Sequence, residues 1–175
     1  MTASGNAGQA KCIVVGVTGA SGAHYARRLV DCLLSGGAEV HLVVSTLGRR
    51  LFLDEIGLKQ VSATTLIGRE EPRLIIHPHG DVGDALASGS THTDGMIICP
   101  CSSNTLAQVA AGFGDNLITR AAQVTLKERR RLIIVPREMP LSHLEIENCL
   151  RLSTAGAIFC PAAPGFYMLP RTVDD

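Results

Sequence analysis

Cys12-Ile13-Val14-Val15-Gly16-Val17-Thr18-Gly19-Ala20-Ser21-Gly22 is the stretch that decides the fold. An apolar run of strand length passes into a turn punctuated by Gly16, Gly19 and Gly22, and a helical pattern opens at Ala23. The segment therefore reads strand, glycine-rich turn, helix. Glycine lets the backbone bend tightly and bare its N–H groups, and the helix that follows adds the positive end of its dipole. A phosphate is expected at this turn, with the Ser21 hydroxyl beside it. The spacing is neither the Gly-x-Gly-x-x-Gly of dinucleotide folds nor a Walker loop. Close packing of strand on helix accounts for the same glycines equally well.

Further apolar runs recur at Val40 to Val44, Leu74 to Ile76, Met96 to Cys99, Leu132 to Val135 and Ala157 to Cys160. Helical patterns lie between them at Ala23 to Leu34, Thr46 to Ile56, Ser103 to Ala111, Leu117 to Lys127 and Leu141 to Ser153. This alternation predicts an α/β fold, a doubly wound and mainly parallel sheet in a Rossmann-like or flavodoxin-like three-layer arrangement. Residues 1–10 are small and polar and read as a flexible tail, leaving 11–175 as a single domain. The stretch from His77 to Thr93, rich in Gly, Ser and His, reads as a functional loop.

Composition narrows the function. Apolar residues make up 46% of the chain but aromatics only 3%, so the core is aliphatic, as suits a parallel sheet covered by helices. Sixteen basic residues balance 16 acidic ones, which gives no broad positive field for nucleic acid. Arg129-Arg130-Arg131 reads as a solvated helix C-terminus. No apolar stretch is long enough to span a bilayer. The six cysteines show neither CxxC pairs nor zinc spacing and read as small core residues in a reducing, cytoplasmic setting. The histidines, including His77 and His79, show no metal spacing with carboxylate or cysteine partners and read as loop residues.

Ligands of open parallel sheets lie outside the carboxyl ends of the strands. Those ends carry the glycine turn, Ser45, the run Pro100-Cys101-Ser102-Ser103-Asn104-Thr105, and Pro136-Arg137-Glu138. Ser102 or Ser103 is also a natural helix N-cap. Arg120 and Lys127 stand two helical turns apart on one face, as solvated charges or as half of an anion clamp. Arg137-Glu138 reads as an ion pair or as a carboxylate able to accept and return a proton. Tyr167 packs on the core or offers its hydroxyl to an anion.

Taken in order, Gly19-Ala20-Ser21-Gly22, Ala87-Ser88-Gly89-Ser90, Cys99-Pro100-Cys101-Ser102, Asn116-Leu117-Ile118-x-Arg120-Ala121-Ala122, Leu126-Lys127-Glu128-Arg129-Arg130, Pro136-Arg137-Glu138-x-Pro140 and Pro161-Ala162-x-Pro164-Gly165-Phe166-Tyr167 resemble the UbiX-type flavin prenyltransferases. These enzymes were formerly described as aromatic-acid decarboxylases. The resemblance implies that the domain binds FMN and alkylates its reduced form at N5 and C6 with dimethylallyl monophosphate. The prenylated FMN would pass to a UbiD-type decarboxylase. It implies that Gly19, Ala20, Ser21, Ser45, Ser102, Ser103, Asn104, Thr105 and Arg137 hold FMN. Arg120, Lys127, Glu138 and Tyr167 would surround the prenyl phosphate, with Ser88 and Gly89 lining the site. Glu138, Ser21 and Glu55 are the implied catalytic residues, Glu138 taking the proton released on ring closure. The family assembles as dodecamers with sites where subunits meet.

The residues suit that chemistry, because departure of an allylic phosphate adds negative charge to the leaving group, which cations and a proton donor stabilise. The one paired aspartate, Asp174-Asp175, lies at the chain's end, consistent with metal-free monophosphate chemistry. Two departures stand out. Val82 is nearest to the position where the family commonly carries Trp, so altered prenyl binding is expected. The sequence stops at Asp175, where the family's C-terminal helix begins, so reduced activity or assembly is expected. Two other readings stand beside this one: a flavin-dependent decarboxylase of cysteine conjugates, whose Pro-x-Met-Asn segment is absent, and a non-catalytic FMN carrier.

Overall fold

The computed structural model describes residues 10–163 and 171–172. Almost all of the expected tail, and Tyr167, lie outside the described residues. The first aliphatic run forms β1 (Cys12–Val17), and the elements follow as α1 (Ala23–Ser35), β2 (Glu39–Val44), α2 (Thr46–Ile56), α3 (Ala63–Ile67), β3 (Leu74–His77), β4 (Gly95–Cys101), α4 (Ser103–Ala111), α5 (Leu117–Lys127), β5 (Arg131–Pro136), α6 (His143–Thr154) and β6 (Ile158–Phe159). The strands pair in the order β3-β2-β1-β4-β5-β6, and each pairing is parallel. The doubly wound expectation is met.

Alternation along the strands splits the core. Val15, Val17, Val40, Leu42 and Val44 point to one face, where α1, α2 and α3 bury Ala26, Val30, Leu34, Phe52 and Leu66. Val14, Val43, Met96, Ile98, Leu132 and Ile134 belong to the other cluster, under α4, α5 and α6. Residues 78–94 connect β3 to β4 on this second face with only a single turn of 3-10 helix at Ala85–Ala87, whose Leu86 and Ala87 join the same cluster.

Several expectations need correcting. Cys99 and Cys101 are buried, but Cys32 and Cys160 are exposed: Cys32 lies off the apolar stripe of α1, and Cys160 follows the edge strand β6. All six cysteines are free thiols. His41 lies in β2 and His77 ends β3, so neither is a loop residue. Arg130 is no solvated terminus either, since its guanidinium donates to the Gly89 and Thr91 carbonyls at 2.9 and 2.7 Å. Helix α3 has five residues, too short for a hydrophobic period, and is set by the Ser62–Thr65 capping box. Helix α6 starts later than the periodicity suggests, where the Ser142 N–H donates to Glu145 at 2.8 Å. Among the described residues no helix is long and apolar enough to cross a membrane.

Gly48 shows how closely the first layer packs. A Cβ there would stand 2.7 Å from the Val17 carbonyl oxygen, backbone that has little room to give. Gly48→Ala is expected to destabilise the fold by about 1–3 kcal/mol, read as a lower urea midpoint with an unchanged slope.

Candidate functional site

One buried hydroxyl ties the carboxyl edge of the sheet together. Thr18, 1% exposed, donates to the Pro100 carbonyl at 2.9 Å and accepts from the Ser102 N–H at 2.8 Å. The glycine turn after β1 is thereby fixed to the turn after β4. On one flank the Ser45 N–H donates to Val17 O at 2.9 Å, and on the other the Arg137 N–H donates to Cys101 O at 3.3 Å. The turns after β2, β1, β4 and β5 thus form one hydrogen-bonded row. It spans the junction of β1 and β4, where the strand order reverses and ligands of such sheets lie.

Within this row each predicted residue has a local task. Ser45 caps α2, its hydroxyl accepting from the Gly48 N–H at 2.9 Å. Gly19 lies so close to α2 that a Cβ would meet Leu47 Cβ at 2.5 Å. Ser102 caps α4, accepting from the Thr105 N–H at 3.3 Å, and Thr105 is buried behind it. Ser103 and Asn104 open α4, and their first-turn N–H groups have no intrahelical acceptor. Ser103 donates its hydroxyl to Glu138 Oε2 at 3.0 Å, joining the turn after β4 to the one after β5. Glu138 also accepts from the Met139 N–H at 3.2 Å, and both Arg137 and Glu138 are exposed.

The α1 terminus differs from the sequence expectation. The Gly22 and Ala23 N–H groups, at 3.0 and 2.8 Å, donate to Glu55 Oε2 from α2. A carboxylate of the chain itself therefore occupies the dipole end where a phosphate was expected, and α4 presents the open helix terminus. Burial pushes the Glu55 carboxyl up, but hydrogen bonds from the Ser21 hydroxyl and from the Ala23 and Gly22 amides outweigh it and hold the group below its ordinary value. Beneath the site, burial pushes the Cys99 thiol up to about 12 and raises Cys101 as well, so Cys99-Pro100-Cys101 supplies no thiolate near neutral pH.

Ser88, Gly89 and Lys127 lie elsewhere. Arg130, immediately before β5, holds the Gly89 carbonyl, and a Cβ on Gly89 would collide with the Glu128 carboxylate. Lys127 pairs with Glu128 at 3.2 Å. Through Arg130 and Glu128 this group is tied to the start of β5 at the amino edge, whereas Ser102 and Glu138 follow the carboxyl ends of β4 and β5. The seven residues of β4 that run between the two edges span roughly 20 Å. Arg120 is exposed in the first turn of α5, at the other end of that helix from Lys127. A cavity of 760 Å³ at the amino edge, lined by Lys11, Asp94, Arg129, Arg130 and Arg131, includes none of the predicted residues.

Sequence reading missed Thr18. A hydroxyl directly after an aliphatic run is its only signal, and the partners at Pro100 and Ser102 emerge from strand pairing. What the row provides is a helix start at α4 whose first N–H groups lack intrahelical acceptors, with a carboxylate held beside it.

The Flavoprotein family model matches residues 1–170. "Flavin prenyltransferase UbiX" of Halalkalibacterium halodurans is 44% identical over 165 residues, covering 92% of this chain and 80% of the relative. The crystal structure of AnUbiX in complex with FMN and dimethylallyl pyrophosphate superposes with a TM-score of 0.85 at 36% identity, covering 95% of this chain and 85% of that one. A dodecameric FMN-dependent Ubix-like decarboxylase from Escherichia coli O157:H7 gives a TM-score of 0.83 at 41% identity, covering 93% and 86%.

Two outcomes follow from this geometry. Thr18→Val leaves the Pro100 carbonyl and the Ser102 N–H unpaired, and a loss of about 1–3 kcal/mol is expected in urea unfolding. Glu55 has a lowered folded pKa, so its stabilising effect is complete above the ordinary value of 4.5 and fades as pH falls through the folded one. Glu55→Gln is expected to cost about 1 kcal/mol at pH 7, and the gap to the parent protein should close in acid.

Proposed function

This chain belongs to the UbiX flavin prenyltransferase family, and from that premise we infer that it joins a dimethylallyl group to reduced FMN at N5 and C6. The observation that carries the assignment is the Ser103–Glu138 hydrogen bond at the open start of α4, which sets a carboxylate beside an anion-binding helix terminus.

The donor set fits FMN. Close approach at Gly19 leaves no side chain between the glycine turn and α2, and the α4 terminus presents N–H groups and the Ser103 and Asn104 side chains to an anion. Gly19, Ala20, Ser21, Ser45, Ser102, Ser103, Asn104, Thr105 and Arg137 are assigned to hold the flavin. Reduced FMN supplies the nucleophilic N5 and the C6 that closes the new ring. Ser21, oriented by Glu55, provides a hydroxyl near N5. Glu138 accepts the proton that must leave C6, while Ser103 fixes its carboxylate. Arg120, Lys127 and Tyr167 are assigned to the departing phosphate, whose growing charge the cations stabilise.

Lys127, Ser88 and Gly89 stand too far from Glu138 to serve the same cleft within one chain. We assign them to the cleft of a second copy, in a homo-oligomer of the dodecameric kind reported for the E. coli neighbour. Met139, Leu144 and Leu150, 82%, 67% and 68% exposed, give the surface around Glu138 and α6 an apolar character suited to such contacts. Delivery of the product to a UbiD-type decarboxylase in the cytoplasm completes the proposal.

Incubating the protein with reduced FMN and dimethylallyl monophosphate should add a five-carbon unit to the flavin, read by mass spectrometry. Flavin bound but unchanged over many equivalents favours the carrier, and CO2 release from a cysteine conjugate favours the decarboxylase. Glu138→Ala is expected to slow prenyl transfer by about 10²- to 10⁴-fold with FMN affinity retained. Full turnover in that variant removes the proton role.

A further inference from the structure

Parallel pairing sets Cys12 of β1 opposite Glu39 of β2, with His41 two residues on along the same face. The crossover of residues 78–94 leaves this corner without a covering helix, and Cys12, Glu39 and His41 line an open cavity there with Thr91, His92 and Asp94. The thiol sulfur, a carboxylate oxygen and an imidazole nitrogen lie within 4.8 Å of one another. We propose that Cys12, Glu39 and His41 form a three-ligand site for a divalent first-row metal ion, Zn²⁺ by the mix of donors, with a fourth position open to water or His92.

The hydrogen bonds behind His41 support a cation in front of it. His41 Nε2 faces Glu39 Oε1 at 3.0 Å, His41 Nδ1 faces His77 Nε2 at 2.8 Å, and His77 Nδ1 faces Asp84 Oδ2 at 2.7 Å. Both outer nitrogens meet carboxylates and need a hydrogen, and the central pair needs one more. Three ring hydrogens exceed by one what two neutral imidazoles carry. A metal ion on His41 Nε2 takes the place of the outer hydrogen next to Glu39. Two neutral rings, each bearing Nδ1–H, then satisfy the rest of the chain, and His77 and Asp84 become the outer support that metal-bound histidines commonly have.

The charges around the thiol point the same way. The Glu39 and Asp94 carboxylates act on the Cys12 thiol, with Arg130 opposing them, and a thiol gives up its proton when it binds a metal. Lys11 is the competing cation, but it pairs with Asp94 Oδ1 at 2.8 Å, whereas Asp94 Oδ2 accepts from the Cys12 N–H at 2.8 Å. Glu39 keeps His41 as its partner. The donors must close by about 1 Å to reach Zn–ligand distances of about 2.0–2.3 Å, a side-chain adjustment on two paired strands. The site lies at the amino edge of the sheet, away from the proposed flavin cleft, and its existence does not depend on the prenyl transfer reading.

Cys32 and Cys160 are exposed and capable of adventitious binding, so the test uses Cys32→Ser/Cys160→Ser protein together with the unaltered chain. Zn²⁺ is titrated against a chromophoric chelator, and Co²⁺ is added in parallel to report sulfur ligation. One ion per chain is expected, with thiolate-to-cobalt absorption in both proteins. Cys12→Ser should abolish that absorption, His41→Gln should weaken Zn²⁺ binding by at least tenfold, and His77→Gln by about 10- to 100-fold. FMN binding, measured on each variant, verifies folding. Absence of thiolate absorption in folded Cys32→Ser/Cys160→Ser protein overturns the site, as does affinity indifferent to Cys12→Ser and His41→Gln. Should Cys12→Ser fail to fold, the cobalt spectrum of the parent protein and the His77→Gln affinity decide.

Discussion

The Thr18 hydroxyl, donating to one strand end and accepting from the next turn, is the contact on which the proposed cleft rests. The sheet itself stands on aliphatic burial, but burial does not specify how the turns after β1 and β4 face one another. A hydrogen bond made away from water is directional and costly to lose, so it sets that geometry. Ser102 is placed by it, α4 starts from Ser102, and Ser103 at the start of α4 holds Glu138. A single side chain thus connects the glycine turn to the carboxylate assigned as base.

Topology imposes a second constraint. In a parallel sheet the chain leaves every strand at one edge and enters the next strand at the other. Gly89 is held by Arg130 and Lys127 pairs with Glu128, both just before β5, whereas Glu138 follows β5 at the opposite edge. The family motifs therefore divide into two sets at opposite ends, and a site that uses both needs two copies. Exposed apolar side chains on α6 and at Met139 offer a surface for the oligomer proposed above.

Much of this was legible in the sequence, for identifiable reasons. Strands bounded by glycine, proline and serine announce themselves, and α1, α2, α4 and α5 show the helical period within a residue of their observed ends. Serines after strands marked the carboxyl edge. What escaped were features made by pairing at a distance. Glu55 reaches the start of α1 across 33 residues of sequence. His41, His77 and Cys12 meet only because three strands adopt a particular register, so no spacing along the chain could reveal them. The single 3-10 turn at Ala85–Ala87 and the five-residue α3 are below the length at which periodicity has meaning.

The central claim is that the carboxyl edge of one copy and the amino edge of another form a single site. Subunit complementation tests it most directly. Glu138→Ala and Lys127→Ala proteins, each strongly slowed alone, are dissociated, mixed and reassembled before assay with reduced FMN and dimethylallyl monophosphate. A shared site predicts that prenyl transfer returns in the mixture, because some clefts then combine an intact Glu138 with an intact Lys127. A mixture as slow as its components, with hetero-oligomers shown to have formed, contradicts the account.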